Sequence, residues 1–189
     1  MREKNVLAIL GSPHTNGTTA AMLDLAVKAA MQQGHTVTQM NLYEKNLSYC
    51  TGCRVCMDTH TCVQQDGIQE IAAAFQKCHL VILAAPVYWA NVPAPVKNLF
   101  DRLLGTVIED TDSFPKPRMR GKQYMILTAC NTPAPFSWLF GQSSGAIRSM
   151  DEFFRAAGMR PVGKVVCTNT KRTKKLPVQT VKKIERCLK

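Results

Sequence analysis

Four cysteines, Cys50, Cys53, Cys56 and Cys62, fall within 13 residues in the pattern Cys-x2-Cys-x2-Cys-x5-Cys. Thiolates are soft ligands, two-residue spacers let successive sulfurs turn toward one centre, and Gly52 relieves crowding of the backbone between the first two. Two successive x2 gaps suit a cubane 4Fe-4S cluster better than paired zinc knuckles. Zinc is the competitor, because four cysteines, or three with His60, also satisfy a tetrahedral site, and a reduced, metal-free loop is the third reading. The other four cysteines, Cys78, Cys130, Cys167 and Cys187, are far apart and read as small buried apolar residues. Crowding in one segment therefore points to metal or redox chemistry rather than to structural disulfides.

A second set of chemically capable residues lies in Gly11-Ser12-Pro13-His14-Thr15-Asn16-Gly17-Thr18-Thr19, which leads into an amphipathic segment. Free backbone N–H groups and the positive end of a helix dipole favour an anion there. Hydroxyls of Ser12, Thr18 and Thr19 add charge-assisted hydrogen bonds, and His14 is a further donor. A nucleotide-hydrolase loop needs Gly-Lys-Ser/Thr, and this loop has no lysine, which disfavours an NTPase. Nor is there a Gly-x-Gly-x-x-Gly for a pyrophosphate, so the expected ligand bears one phosphate. The alternative is a Gly/Thr-rich turn with a threonine cap. In a third segment, Ala84 to Pro93, Tyr88 and Trp89 lie between prolines that stiffen the chain. A flat heteroaromatic suits that place, its polar edge met by N–H groups of Val87 to Ala90; otherwise the two aromatics belong to the core or an interface. A fourth segment runs from Thr128-Ala129-Cys130 through Pro133, Pro135, Phe136, Trp138 and Phe140, an apolar wall for a substrate or, with slightly more weight, a subunit.

The elements that must position these segments follow from periodicity. Short apolar or β-branched runs predict strands near residues 5 to 11, 35 to 42, 79 to 85, 122 to 130 and 162 to 168. Amphipathic spacing predicts helices over about 18 to 33, 67 to 77, 94 to 104, 143 to 157 and 178 to 188, with Gly34, Gly105 and Gly158 as C-terminal stops. Five repeats of strand then helix in 189 residues give an α/β fold, a doubly wound five-stranded parallel sheet of flavodoxin-like order 2-1-3-4-5. Residues 1–189 form a single such domain, with a cysteine-rich loop at 47–66 and a basic C-terminal helix at 177–189. Sheets of this kind bind ligands beyond the carboxyl ends of the strands, where the order reverses between the first and third. All the segments above except the cysteine loop follow strands one, three and four, so they converge on that crevice.

Composition excludes other classes. With 46% hydrophobic and 20% charged residues the chain can bury an ordinary core. Its longest apolar stretch, Leu80 to Ala90, is broken by Pro86 and falls short of the ~20 residues of a membrane span. After Met1, Arg2, Glu3 and Lys4 the apolar run ends at Leu10, too short for a secretory signal, so a cytoplasmic location is expected. Most of the net charge of +11 belongs to residues 171–189, which hold eight Lys/Arg against Glu185. Val178, Val181, Ile184 and Leu188 mark the apolar face of a helix there, whose lysines face solvent, and no stacking aromatics accompany them. A zinc-stabilised nucleic-acid-binding module is thereby disfavoured.

Taken together, the glycine- and threonine-rich loop Gly11 to Thr19, Pro86-Val87-Tyr88-Trp89 with Lys97-Asn98 and Asp101-Arg102, and the compact cysteine loop resemble the iron-sulfur flavoprotein family within the flavodoxin-like NAD(P)H-dependent FMN reductases. The likeness covers most of residues 5 to 168. It implies FMN, a 4Fe-4S cluster and a homodimer or homotetramer, with electrons from NAD(P)H or a small redox carrier protein. Carried over by position, Ser12 to Thr19 hold the flavin phosphate, Pro86 to Ala90 and Thr128 onward border the isoalloxazine, and the four cysteines ligate the cluster. The chemistry resides in the cofactors, so no general acid or base is named. An FMN or quinone reductase with a structural or empty cysteine loop is the alternative. Two positions depart from the pattern: an acidic pair after the fourth cysteine is reduced to Gln65-Asp66, and a glycine after the aromatic pair is Ala90.

Overall fold

Strands β1 (Asn5–Leu10), β3 (Leu80–Pro86) and β6 (Gln123–Ala129) are near-continuous apolar runs because both of their faces are covered, whereas β2 (Thr36–Asn41) carries threonines and a glutamine at an edge. With β7 (Arg160–Cys167) they form one parallel sheet of order β2-β1-β3-β6-β7, the predicted order of the five main strands. The structure is a computed structural model that describes residues 3–171 and 175–189. Met1 and Arg2 of the N-terminal reading, and Arg172, Thr173 and Lys174 of the basic tail, lie outside the described residues.

Two apolar layers sandwich the sheet. On one side Val6, Ala8, Leu10, Ile82 and Leu127 pack against α1 (Thr18–Gln32) and against Ile184 and Leu188, at the end of the chain. On the other, Leu7, Ile9, Val81, Leu83 and Ile126 meet α3 (Ile68–Lys77), α4 (Ala94–Arg102) and α7 (Gln142–Ala156). The alternation along β1 shows why: successive side chains point to opposite faces. The last helix, α8 (Val178–Cys187), buries Thr180 and Ile184 while Lys182, Lys183, Arg186 and Lys189 stay exposed, as expected; Val178, expected on its apolar face, is 67% exposed at the helix start. Among the described residues no helix is long and apolar enough to cross a membrane.

Several local features depart from the predicted pattern. The fifth main strand begins at Arg160, two residues early, because an edge strand tolerates Pro161 and a register shift opposite Tyr124 and Met125 absorbs it. The predicted helix 94 to 104 ends at Arg102, and a separate turn, α5 (Leu104–Val107), contains Gly105. Gly105 is therefore not a helix stop. A Cβ there would overlap the Cys56 carbonyl, so its role is a close approach to the cysteine loop. That loop contains a helical turn, α2 (Val55–Thr59), and a second short turn, α6 (Phe136–Leu139), follows β6. A small antiparallel ribbon, β4 (Ile108–Glu109) with β5 (Lys116–Pro117), completes the fold.

Candidate functional site

At the carboxyl ends of β1, β3, β6 and β7 lies a cleft of about 420 Å³, within the range of about 300–1,000 Å³ usual for cofactor pockets. The first wall is the β1–α1 connection. Gly11 continues the sheet by donating to the Ala84 carbonyl at 2.7 Å, and a Cβ there would overlap Val96. Ser12 is buried, and its Oγ accepts the His14 N–H at 3.2 Å, which tightens the turn. Gly17 caps α1 without a side-chain bond, and the first helical bond runs from Ala21 N–H to Gly17 O at 3.0 Å. The N–H groups of Thr18, Thr19 and Ala20 thus have no helical acceptor. Ser12, His14, Gly17, Thr18 and Thr19 line the cleft as expected from the sequence. Asn16 does not line it and is exposed.

The second wall, Pro86 to Ala90, also lines the cleft. Tyr88 and Asn91 exchange backbone hydrogen bonds of 2.8 and 2.9 Å, closing a two-residue hairpin turn with Trp89 and Ala90 at φ 51° and 59°. Such a turn needs positive φ at both positions, which explains why a glycine is at home where Ala90 stands. Trp89 is 99% exposed at the tip. Not all four expected N–H groups are free for a ligand. Val87 donates to Ala129 O at 3.0 Å and Tyr88 to Asn91, leaving Trp89 and Ala90 as the open donors. From the far side, α7 supports the turn closely, since a Cβ on Gly145 would overlap the Ala90 carbonyl.

The third wall begins one residue later than expected. Thr128 is fully buried, its Oγ1 donating to Ala85 O at 2.7 Å, so it ties β6 to β3 beneath the cleft rather than bordering it. Ala129, Cys130, Asn131 and Thr132 form the wall, joined by Gln142 at the start of α7 and Thr170 after β7. Gln142 Oε1 accepts from Thr132 Oγ1, and Thr170 Oγ1 donates to Asn131 Oδ1 at 2.7 Å. Sequence reasoning missed Gln142 and Thr170. The available signal for Thr170 was topological: it follows the carboxyl end of the fifth main strand. Away from the loop, burial pushes the Cys78 thiol up to about 11 and also raises Cys167 and Cys187, which favours their protonated form. Cys187 is half-buried rather than buried, packed over Gly163.

The cysteine loop lies between β2 and α3 and is gripped by α4. Asn98 and Arg102, four residues apart on one face of that helix, are both buried. Asn98 Oδ1 accepts the Cys50 N–H at 3.3 Å, and its Nδ2 donates to Ser48 O at 3.1 Å. Arg102 uses all five N–H groups: Nε on Cys62 Sγ at 3.1 Å, Nη1 on Ser48 O and on Asp66 at 2.9 Å, Nη2 on Gln64 O at 3.3 Å and on Asp66 at 3.0 Å. Burial alone would raise the Asp66 carboxyl; hydrogen bonds from Arg102 and from the Ile68 and Ser48 amides outweigh it and hold the group below its ordinary value. Burial likewise opposes the Arg102 charge, but the bonds to Asp66 and Cys62 raise its pKa further.

Cys50 and Cys53 are exposed, and Cys56 and Cys62 half-buried. Among the described residues no three His, Cys, Asp or Glu side chains stand together as a metal site, so the structure does not gather the four sulfurs. Three observations nonetheless fit a group seated on this loop. The donor set is four thiols within 13 residues, and His60 has a buried Nδ1 without a hydrogen-bond partner. His60 and Arg54 also hold left-handed backbones, φ 61° and 62°, that cost strain in the isolated chain.

A family described as "Flavodoxin-like fold" matches residues 4–188. The chain belongs to that family. Relatives named iron-sulfur flavoproteins match at 27–40% identity. One from Archaeoglobus fulgidus is 40% identical over 98 residues, 52% of this chain and 44% of its own length. This flavodoxin-like chain thus spans about half the length of the first curated relatives it matches. Among solved structures, the NAD(P)H:quinone oxidoreductase from Methanothermobacter marburgensis superposes with a TM-score of 0.78 at 14% identity, covering 99% of this chain and 96% of that one. An FMN-dependent NADH-azoreductase from Bacillus anthracis, solved in complex with FMN, gives 0.73 at 12% identity over 97% and 95% of the two chains. At those identities the structural likeness concerns the fold.

Proposed function

We propose that this chain is an FMN-dependent oxidoreductase that moves electrons between NAD(P)H, or a small redox carrier protein, and an acceptor, with a 4Fe-4S cluster held by Cys50, Cys53, Cys56 and Cys62. One observation carries the flavin part: the cleft joins the N-terminus of α1, with the amides and hydroxyls of Thr18 and Thr19, to a hairpin bearing an exposed indole. Bound there, FMN supplies exchange of electrons in pairs as hydride or singly, and a cluster supplies a one-electron store.

The residues' own tasks follow from their places. Thr18, Thr19 and Ala20 N–H groups, with the Ser12 and Thr18 hydroxyls, bind a dianion at the positive end of α1. The Trp89 and Ala90 amides meet the polar edge of a planar ring, and Pro86 and the hairpin fix their direction. Thr132 with Gln142 and Asn131 with Thr170, already hydrogen-bonded as two pairs, form a pre-set polar rim. Exposed Phe136, Trp138, Leu139 and Phe140 beside this rim suit a contact between copies in a homodimer or homotetramer.

A second reading, an FMN or quinone reductase whose cysteine loop carries no metal, draws on the ungathered sulfurs and on the names of the solved neighbours. An absorption spectrum of anaerobically purified protein, with iron and acid-labile sulfide analysis, separates the two. Flavin bands with a broad charge-transfer absorbance and about four irons per chain support the first reading; flavin bands without iron support the second. Colourless protein that refuses FMN on titration overturns both.

A further inference from the structure

We propose that Asn98 and Arg102 are the positioning residues of the cysteine loop, fixing its first and fourth cysteines from one face of α4, with Arg102 also tuning the potential of iron bound through Cys62. The potential part rests on the iron-sulfur reading above; the clamp does not. Asn98 takes the Cys50 amide and Arg102 the Cys62 sulfur, and both donate to the Ser48 carbonyl just before the first cysteine. Every N–H of a fully buried guanidinium points at the loop or at the Asp66 and Gln64 that follow its last cysteine. None points at the sheet. A buried cation is costly unless paired and fully hydrogen-bonded, and a merely structural pair with Asp66 would need no bond to a sulfur.

Asp66 receives both arms of the guanidinium, and the Gln64 carbonyl takes the remaining Nη2 hydrogen. Gly105, one turn beyond Arg102, lets the Cys56 carbonyl rest directly on α5, so three of the four cysteines are placed by the stretch from residue 98 to residue 105. Helix α4 begins at Ala94, immediately after the hairpin that walls the cleft. At ~1.5 Å rise per residue, Arg102 is about 12 Å along the axis from that start. A single rigid helix therefore sets the separation between the flavin wall and the cysteine loop.

Hydrogen bonds to cluster sulfurs raise the reduction potential, because they stabilise the more negative, reduced state. Removing the Nε bond lowers it. Partners that orient ligands typically contribute about 10- to 100-fold to metal affinity. The test uses Arg102→Lys, which keeps a cation beside Asp66, and Asn98→Ala, which changes no charge. In metal-free protein, hydrogen exchange at residues 48–66 and maleimide labelling of half-buried Cys62 should accelerate by about 10-fold in each variant, the consequence of losing hydrogen bonds worth about 1.4 kcal/mol. After anaerobic reconstitution with ferrous iron and sulfide, both variants should lose iron to a chelator faster than the parent, and Arg102→Lys alone should show a lower midpoint potential by redox-poised paramagnetic resonance. FMN affinity should be unchanged in both. Exchange and labelling equal to the parent in both variants would overturn the clamp, and an unshifted potential in Arg102→Lys would overturn the tuning. If the parent takes up no iron, the iron-sulfur reading and the tuning fall with it, and exchange and labelling alone decide the clamp.

Discussion

Gly145→Ala is the sharpest probe of the flavin wall, because it alters no residue that lines the cleft. Gly145 sits in the first turn of α7, and an added methyl would overlap the Ala90 carbonyl, with the Ala90 carbonyl carbon at 3.2 Å. Two effects on stability oppose each other. Alanine in place of glycine inside a helix stabilises by about 1 kcal/mol, while forcing a methyl into a filled contact costs about 1–3 kcal/mol. The net is a loss of roughly 0–2 kcal/mol, or a Tm lowered by no more than about 8 °C at this chain length. Relief comes from displacing the softer partner, which is the hairpin: helix α7 is anchored by buried Ala146, Met150 and Phe154. The open amides of Trp89 and Ala90 then leave the position that the ring requires. A misfit of about 1–2 kcal/mol corresponds to about 5- to 30-fold weaker FMN binding. Flavin-fluorescence titration measures it, with exposed Arg148→Ala on the same helix as control. A folded Gly145→Ala protein that binds FMN like the parent would show that the 86–90 hairpin does not hold the ring.

Three further outcomes follow from local physics. Ala90→Gly removes a left-handed alanine and should raise stability by about 1 kcal/mol, seen as a Tm higher by about 2–4 °C. Ser12→Ala with Thr18→Ala should weaken FMN by roughly 10- to 100-fold through loss of charge-assisted bonds while leaving riboflavin, which has no phosphate, nearly unaffected; equal losses for both ligands would misplace the phosphate. Because the folded Asp66 carboxyl titrates below its unfolded value, its contribution is full above about pH 5 and is lost as pH falls through the folded value. The difference in urea midpoint between the protein and Asp66→Asn should therefore be constant near neutral pH and shrink below about pH 4; a constant difference down to pH 2 would contradict the ion pair.

The main sheet was legible because its signals are local and redundant. Runs such as Leu80 to Ala85 admit no amphipathic reading, glycines at 34 and 158 adopt the left-handed stops that helices favour, and strand–helix alternation leaves few topologies. The boundaries that failed have a common cause in tertiary context. Pro161 reads as a terminator until the edge position of β7 makes its missing N–H harmless. Gly105 reads as a helix stop until the fold brings the Cys56 carbonyl against it. Residue type was the right signal in both cases, and the reason for the type lay some 50 residues away in the second.

The candidate site shows the same division between what neighbours in sequence specify and what the sheet assembles. Ser12, Gly17, Thr18 and Thr19 form a contiguous loop whose composition states its chemistry, and the structure keeps them together. Thr128 has the right type at a strand end, but the pleat sends it to Ala85 while the residues after it turn toward the cleft. One residue of register decides between the two outcomes, and hydrophobic pattern cannot resolve it when both faces are buried. Gln142 and Thr170 come from separate crossovers, so only a folded sheet makes them neighbours. Arg102 is the extreme case. The sequence placed Asn98 and Arg102 in a motif without giving either a partner, yet among the described residues both are buried polar side chains. Their partners at Ser48, Cys50, Cys62 and Asp66 span both ends of the cysteine loop. A loop of exposed and half-buried thiols would otherwise bear the full entropy of ordering its backbone at the moment of metal capture, at about 1–2 kcal/mol per residue. Fixing its ends to a helix beforehand reduces that cost, so under the proposed iron-sulfur reading the clamp contributes to metal capture alongside the spacing of the cysteines.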